Sequence, residues 1–173
     1  MREVFEQLDL LAINWFVTGS EAAACYGVLR QTFDVDVVIE LEPARFDLLA
    51  SSLPGFAIAD PIQYEGFAMG SVISPVTAAK VDLIMRADDP YSRQVMQRRQ
   101  RCQHRDFGQI WVCSLEDLVV AKLEWSEGTS ELQLRDCAQL LRINATAVGW
   151  DYLVGMARER GVGALLERVR NAP

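Results

Sequence analysis

Histidine and closely spaced cysteines are scarce in this chain of 173 residues, and their scarcity argues against several kinds of active site. The one histidine, His104, lies in an arginine-rich stretch without a nucleophile motif nearby, which disfavours Ser-His-Asp and Cys-His hydrolases. The four cysteines form no Cys-x-x-C pair, so nothing indicates a zinc or a thioredoxin-type site. We therefore expect Cys25, Cys102, Cys113 and Cys137 to be reduced and mostly to pack in the core.

Long apolar runs and excess positive charge are also missing. No run approaches the roughly 18 apolar residues of a membrane helix, and the amino terminus lacks the apolar stretch of a signal peptide, so we expect a cytoplasmic protein without a membrane partner. The net charge of −7 argues against indiscriminate binding along nucleic acid. Between Arg86 and Arg105 a local charge of +4 allows an anion site, although charge runs on helices are more often exposed surface.

What is present is the composition of one globular domain, alone or with a small helical appendage: half of the residues are hydrophobic and a quarter are charged. Apolar alternation predicts strands over residues 14–18, 34–41, 56–59, 66–73, 80–85 and 109–113. Helical spacing predicts helices over residues 2–12, 21–29, 43–53, 90–100, 115–125, 131–142, 150–160 and 163–170. The predicted caps are Ser20, Asp89, Ser114 and Ser130. The four tryptophans, Trp15, Trp111, Trp125 and Trp150, are expected in the core.

These elements predict an α/β (α+β) fold. A mixed sheet flanked by helices would occupy residues 1–113. A small helical bundle over residues 114–173 would pack on that core.

Three acidic residues lie in predicted strands. Side chains two apart on a strand point to the same side, so Asp34 and Asp36 present two carboxylates together. Two like charges there need a cation, and magnesium prefers such hard oxygen ligands. Asp82 is an acid within an apolar strand, where an unpaired charge would cost several kcal/mol. The sequence therefore predicts a metal site formed by these three aspartates.

A Gly19-Ser20 turn precedes this acidic pair. Glycine allows close backbone approach, and free amides at a helix start stabilise anions, so the turn is suited to phosphate. Each piece alone is compatible with an ordinary turn or a charged edge strand. Together and in this order they indicate a site for a metal-bound nucleoside triphosphate.

Two further residues of the helical region have charged side chains at positions that face inward. Lys122 continues the apolar stripe of Leu115 and Leu118, so it either meets a buried anion or extends its ammonium group to water. Asp136 lies one turn from both Leu132 and Leu140 and is expected to face the interior as well.

This arrangement resembles the nucleotidyltransferase superfamily, in which Gly-Ser or Gly-Gly is followed by Asp-x-Asp and a later strand carboxylate. The link Arg30-Gln31-Thr32 before the acidic pair is similar to that of a small bacterial branch that includes AbiEii-type toxins of toxin–antitoxin systems. The resemblance implies that Asp34, Asp36 and Asp82 bind metal and that Lys122 joins the catalytic group. The residues expected to contact the nucleotide are Gly19, Ser20, Arg30, Thr32, Lys80 and Asp136. Mg²⁺, with Mn²⁺ as the alternative, would be the cofactor.

The implied function is transfer of a nucleoside monophosphate from a triphosphate to an acceptor hydroxyl on a tRNA, a protein or a small molecule, with an antitoxin as a further partner in the toxin interpretation. One alternative is a non-catalytic nucleotide-binding or regulatory protein that keeps the fold. Another is a hydrolase that uses the metals to activate water.

Overall fold

The computed structural model describes residues 1–172. Its centre is a mixed seven-stranded sheet in the order β3-β4-β5-β2-β1-β7-β6. The strands are β1 (Trp15–Val17), β2 (Asp34–Ile39), β3 (Ala57–Tyr64), β4 (Phe67–Ile73), β5 (Lys80–Arg86), β6 (Gln100–His104) and β7 (Gly108–Val112).

Eight α-helices accompany the sheet. They are α1 (Arg2–Leu10), α2 (Gly19–Cys25), α3 (Phe46–Ser51), α4 (Pro90–Gln97), α5 (Leu115–Ser126), α6 (Glu131–Ile143), α7 (Trp150–Glu159) and α8 (Gly163–Arg170). The predicted α/β class with a helical carboxy-terminal part is confirmed. Within residues 1–172, none of these helices combines the length and the hydropathy of a membrane span.

The middle of the sheet has the most apolar strands. All three residues of β1 are buried, and β2 and β5 each contain an inner run of buried residues. β2 lies parallel to β5 and antiparallel to β1, which in turn pairs in parallel with β7. Because β2 and β5 both have neighbours on each side, the charged residues on them do not lie at an open sheet edge.

Helix α5 is the most buried helix of the carboxy-terminal part and contacts α2, α6 and α7. It begins at the predicted cap, where the Ser114 hydroxyl accepts a hydrogen bond from the backbone N–H of Asp117 at 3.2 Å. The second predicted cap, Ser130, precedes α6 but makes no capping bond through its side chain.

Three helix predictions in the amino-terminal half were too long, the first by only two residues, because α1 ends at Leu10. The helix after Thr18 begins at Gly19 and ends at Cys25, so Ser20 lies inside its first turn and is not the cap. It ends early because Gly27 adopts a positive φ of 88°, which is outside the helical region. The predicted helix over residues 43–53 is a 3₁₀ turn, Pro43–Arg45, followed by α3.

Strand β6 was missed. The predicted helix over residues 90–100 ends at Gln97, and Gln100–His104 pairs antiparallel with β7 at the sheet edge. The segment Gln-Arg-Cys-Gln-His contains no β-branched residue and no apolar alternation, so its strand state is set by pairing with β7 and not by local preference.

The cysteine expectation was wrong for two of the four residues. Cys25 at the end of α2 and Cys102 in β6 form a disulfide, whereas Cys113 and Cys137 are free and buried as expected. Disulfides are rare in the cytosol, so this bond counts against the cytoplasmic expectation. The bond joins the helix that starts at Gly19 to the edge strand missed by sequence analysis.

Candidate active site

The parallel pairing of β2 and β5 collects four charged side chains on one face of the sheet. In this register Asp34 lies opposite Lys80 and Asp36 lies opposite Asp82. Val35 and Val37, which alternate with the acids, are buried on the other face. The strand period of two and the register therefore bring together three predicted metal ligands and one predicted nucleotide contact.

Gly19 lies directly against this acidic group. Its φ of +64° is in the left-handed region, and a Cβ atom there would overlap with Asp36 Oδ2. The neighbouring Thr18 N–H donates to the Asp36 carbonyl at 2.9 Å. Only glycine allows the start of α2 to approach the Asp36 carboxylate this closely.

The link between α2 and β2 is tied to the same place. Thr32 Oγ1 donates to Asp34 Oδ1 at 2.6 Å, and Arg30 Nη2 donates to Ser20 Oγ in a short contact. These two hydrogen bonds hold Arg30 beside Ser20, in the turn predicted to bind phosphate, and Thr32 beside Asp34. All four residues were predicted as site residues, and the structure brings them together.

Both carboxylate oxygens of Asp82 are engaged by the protein. Ser71 Oγ on β4 donates to Oδ1 at 2.5 Å, and Lys80 Nζ lies 2.7 Å from Oδ2. Lys80 Nζ is also 4.0 Å from Asp34 Oδ2. The hydrogen bond and the opposite charge of Asp82 raise the pKa of Lys80 above its ordinary value. Ser71 was not predicted, because only the register of β4 against β5 places it opposite Asp82.

Lys122 meets a buried anion, which decides between the two alternatives left open by the sequence. Its Nζ lies 2.8 Å from Asp136 Oδ2 and 3.0 Å from Gln133 Oε1, and both charged residues are at most 5% exposed. Lys80 and Lys122 are the only two lysines in the chain, and both are paired with a predicted site carboxylate.

A cavity of about 210 Å³ separates the acidic face from the helices. Gly19 and Asp36 line one side, and Lys122, Gln133 and Trp125 line the other. Trp125 was expected in the core but is 55% exposed. Thr18, Gly19 and Asp36 thus face α5 and α6 across this cavity.

Asp36 is the acid whose proton affinity is most changed by this environment. Burial raises its pKa from 3.8 to about 6, and the carboxylates of Asp34 and Asp82 add to the increase. The ammonium groups of Lys122 and Lys80 act in the opposite direction. The group therefore has an excess of negative charge that a bound cation would relieve.

No family model matches the chain, and no curated protein matches it significantly. Among solved structures, the antibiotic-resistance factor ANT(2'')-Ia aligns with a TM-score of 0.61 at 13% identity over 96% of this chain and 92% of its own. A nucleotidyltransferase from Thermotoga maritima, described as putative, aligns with a TM-score of 0.56 at 22% identity over 78% and 87% of the two chains. The lincosamide antibiotic adenylyltransferase LnuA gives 0.53 at 13% identity over 82% and 96%. The chain has the fold of a nucleotidyltransferase.

Identities of this size show the fold alone, so the roles of individual residues in this nucleotidyltransferase fold stay predictions. None of the three proteins is described as a toxin, and the AbiEii-type assignment likewise stays a prediction.

The donor chemistry of the acidic face fits one magnesium ion. Asp34 and Asp36 offer hard oxygen ligands, and magnesium in proteins is usually held by one or two carboxylates plus phosphates and water. Across residues 1–172, no group of three histidine, cysteine, aspartate or glutamate side chains is close enough together to bind one metal ion. At Asp82 the neighbouring cation is Lys80.

The remaining basic residues lie elsewhere in this nucleotidyltransferase fold. His104 is buried and pairs with Glu21 at 2.9 Å. Arg98 bridges the buried carboxylates of Glu116 and Asp117, and the cavity beside Asp36 is lined by no arginine. The positive stretch is divided between α4 and β6, and whether its other arginines bind an anion stays a prediction.

Proposed function

We propose that this protein transfers a nucleoside monophosphate from a nucleoside triphosphate to an acceptor hydroxyl. The observation that supports the proposal most directly is the register of β2 against β5, which sets Asp36 beside Asp82 with Asp34 two residues away, next to Gly19. Carboxylates grouped beside a close-approach glycine are what a magnesium-bound triphosphate requires.

In the proposed reaction Asp34 and Asp36 would hold the magnesium ion. When bound, the ion would neutralise charge that develops on the phosphate oxygens. The acceptor oxygen forms a bond to the α-phosphorus, the bond from that phosphorus to the bridging oxygen breaks, and pyrophosphate leaves. Asp82 would help to take the acceptor proton, which requires one of its oxygens to exchange its bond with Ser71 or Lys80 for the acceptor hydroxyl. These assignments follow the positions of the side chains on the acidic face.

Six further residues have supporting roles in the proposal. Gly19 and Ser20 receive the terminal phosphates, because Gly19 lies against Asp36 and Ser20 follows it in the first turn of α2. Lys122 supplies positive charge across the cavity, held in place by Asp136. Arg30 and Thr32 keep Ser20 and Asp34 in position.

The acceptor can be an RNA, a protein or a small molecule. ANT(2'')-Ia has been solved with adenylyl-2''-tobramycin and LnuA with lincomycin, so two proteins with this fold bind small-molecule antibiotics. A toxin, with an antitoxin as its partner, would instead modify RNA or protein.

The test incubates the protein with each α-³²P-labelled triphosphate, magnesium and total cell extract, and then sorts the label into RNA, protein and small-molecule fractions. We expect label in one fraction with the wild type and none with Asp36→Ala. Asp60→Ala removes an exposed carboxylate on β3 and is the matched control, which should keep activity.

The outcomes also separate the alternatives. Equal transfer by wild type and Asp36→Ala would refute the assignment. Nucleotide binding without pyrophosphate release would favour the non-catalytic protein, and free nucleoside monophosphate as the only product would favour the hydrolase.

A further inference from the structure

Lys80 is bound to an oxygen of Asp82, one of the three aspartates predicted to bind metal. We propose that Lys80 is itself the second cation of the acidic centre, so that the protein binds one divalent ion, at Asp34 and Asp36, and not two. This inference rests on the proposed function, because it concerns the ion used by the same site.

The first argument is that both carboxylate oxygens of Asp82 already have partners in the protein. Its side chain is only 6% exposed, and its two oxygens are bound by Ser71 and Lys80. A buried carboxylate without a partner is costly, so Asp82 retains the ammonium group whenever no other cation replaces it.

The second argument is distance. Lys80 Nζ lies 2.7 Å from Asp82 Oδ2. A magnesium ion bound to the same oxygen at about 2.1 Å would lie within about 4.8 Å of that nitrogen. Like charges this close repel each other, and the buried Asp82 side chain reduces the solvent screening on one side of the pair. A second ion on Asp82 therefore requires Lys80 to leave.

The third argument is charge. Asp34, Asp36 and Asp82 together have three negative charges when ionised, and Lys80 compensates one of them. The other lysine, Lys122, is already paired with Asp136. In the protein without nucleotide, one divalent ion balances the remaining two charges. A lysine suits this role because its ammonium group is a compact point charge with three donors.

The test counts bound ions without measuring transfer. Mn²⁺ is titrated into the full-length protein by equilibrium dialysis, alone and with an equimolar mixture of the four α,β-methylene nucleoside triphosphates. Two Mn²⁺ ions about 3.5–4 Å apart would be magnetically coupled, whereas a single bound ion gives an uncoupled electron paramagnetic resonance spectrum.

We expect one uncoupled Mn²⁺ per wild-type chain. Lys80→Met removes the charge and should bind two Mn²⁺ with a coupled spectrum. Lys80→Arg keeps the charge at the same position and should bind one. Lys80 is 39% exposed, so both variants should fold, and thermal unfolding checks this.

Two bound ions in the wild type would overturn the inference and leave the proposed function intact. A single ion in both wild type and Lys80→Met would also overturn it, because Lys80 would then not be what excludes the second ion. No bound Mn²⁺ in the wild type under either condition would overturn the inference and the proposed function together. One ion with no nucleotide transfer would support the inference while defeating the proposed function.

Discussion

Replacing Lys122 by methionine should destabilise the protein more than any exposed ion-pair substitution. Lys122 Nζ lies 2.8 Å from Asp136 Oδ2, with the two side chains 4% and 7% exposed. Removing one partner of a buried pair leaves an uncompensated charge and costs about 3–5 kcal/mol. In a domain of this size each kcal/mol lowers the Tm by roughly 2–4 °C, so we expect a fall of roughly 6–20 °C.

The double variant Lys122→Met/Asp136→Leu separates stability from function. Both charges are then absent, and an apolar pair of similar volume is often as stable as the ion pair it replaces. We expect the free energy of unfolding to recover by most of the loss. Nucleotide binding should not recover, because the cavity next to Asp36 would still lack its cation.

The assay is urea unfolding followed by tryptophan fluorescence, with triphosphate binding measured on the same samples. Arg168→Met is the matched control, because Arg168 and Glu131 form a 2.7 Å pair whose side chains are 51% and 73% exposed. That substitution should cost at most about 1 kcal/mol. A Lys122→Met variant within about 1 kcal/mol of wild type, or a double variant as unstable as the single one, would refute the reasoning.

Three other changes should have measurable effects. The folded-state pKa of Asp36 is raised from 3.8 to about 6, so the folded protein binds the Asp36 proton more tightly than the unfolded chain does. The contribution of the protonated Asp36 carboxyl group to stability is therefore present below pH 4 and is lost as the pH rises through 6. In metal-free buffer Asp36→Asn should therefore be more stable than wild type by up to about 3 kcal/mol at pH 8, with no gain at pH 3.5 in denaturant titrations. Gly19→Ala should lower the Tm more than Gly161→Ala, because both residues have a positive φ but only Gly19 would place a Cβ against another residue. Equal losses in calorimetry would show that steric overlap with Asp36 is unimportant. Reducing the disulfide between Cys25 and Cys102, which are 77 residues apart, should cost about 4–5 kcal/mol through the entropy of the unfolded chain. The control is a Cys25→Ala/Cys102→Ala variant, which has no disulfide to reduce. If a reductant lowered the Tm of the wild type no more than the Tm of this variant, the prediction would be wrong.

Much of the candidate site could be predicted because it depends on short-range regularities. The placement of Asp34 and Asp36 on one side follows from the strand period of two, which holds wherever the strand lies in the sheet. The inward direction of Lys122 and Asp136 follows from the helical period in the same way. The element order around these residues was also predictable, because apolar patterns of strands and helices are local.

Other features depend on which distant segments meet, and no local pattern reports that. The sequence by itself determined that two acids follow a glycine turn and that a third lies in a later apolar strand. Only the tertiary structure decided that β5 lies beside β2 with Asp82 at Asp36, that Lys80 and Ser71 bind Asp82, and that Cys25 meets Cys102. The physical reason is that strand register and side-chain pairing minimise the free energy of the whole packed chain, in which residues far apart in sequence compete for the same partners.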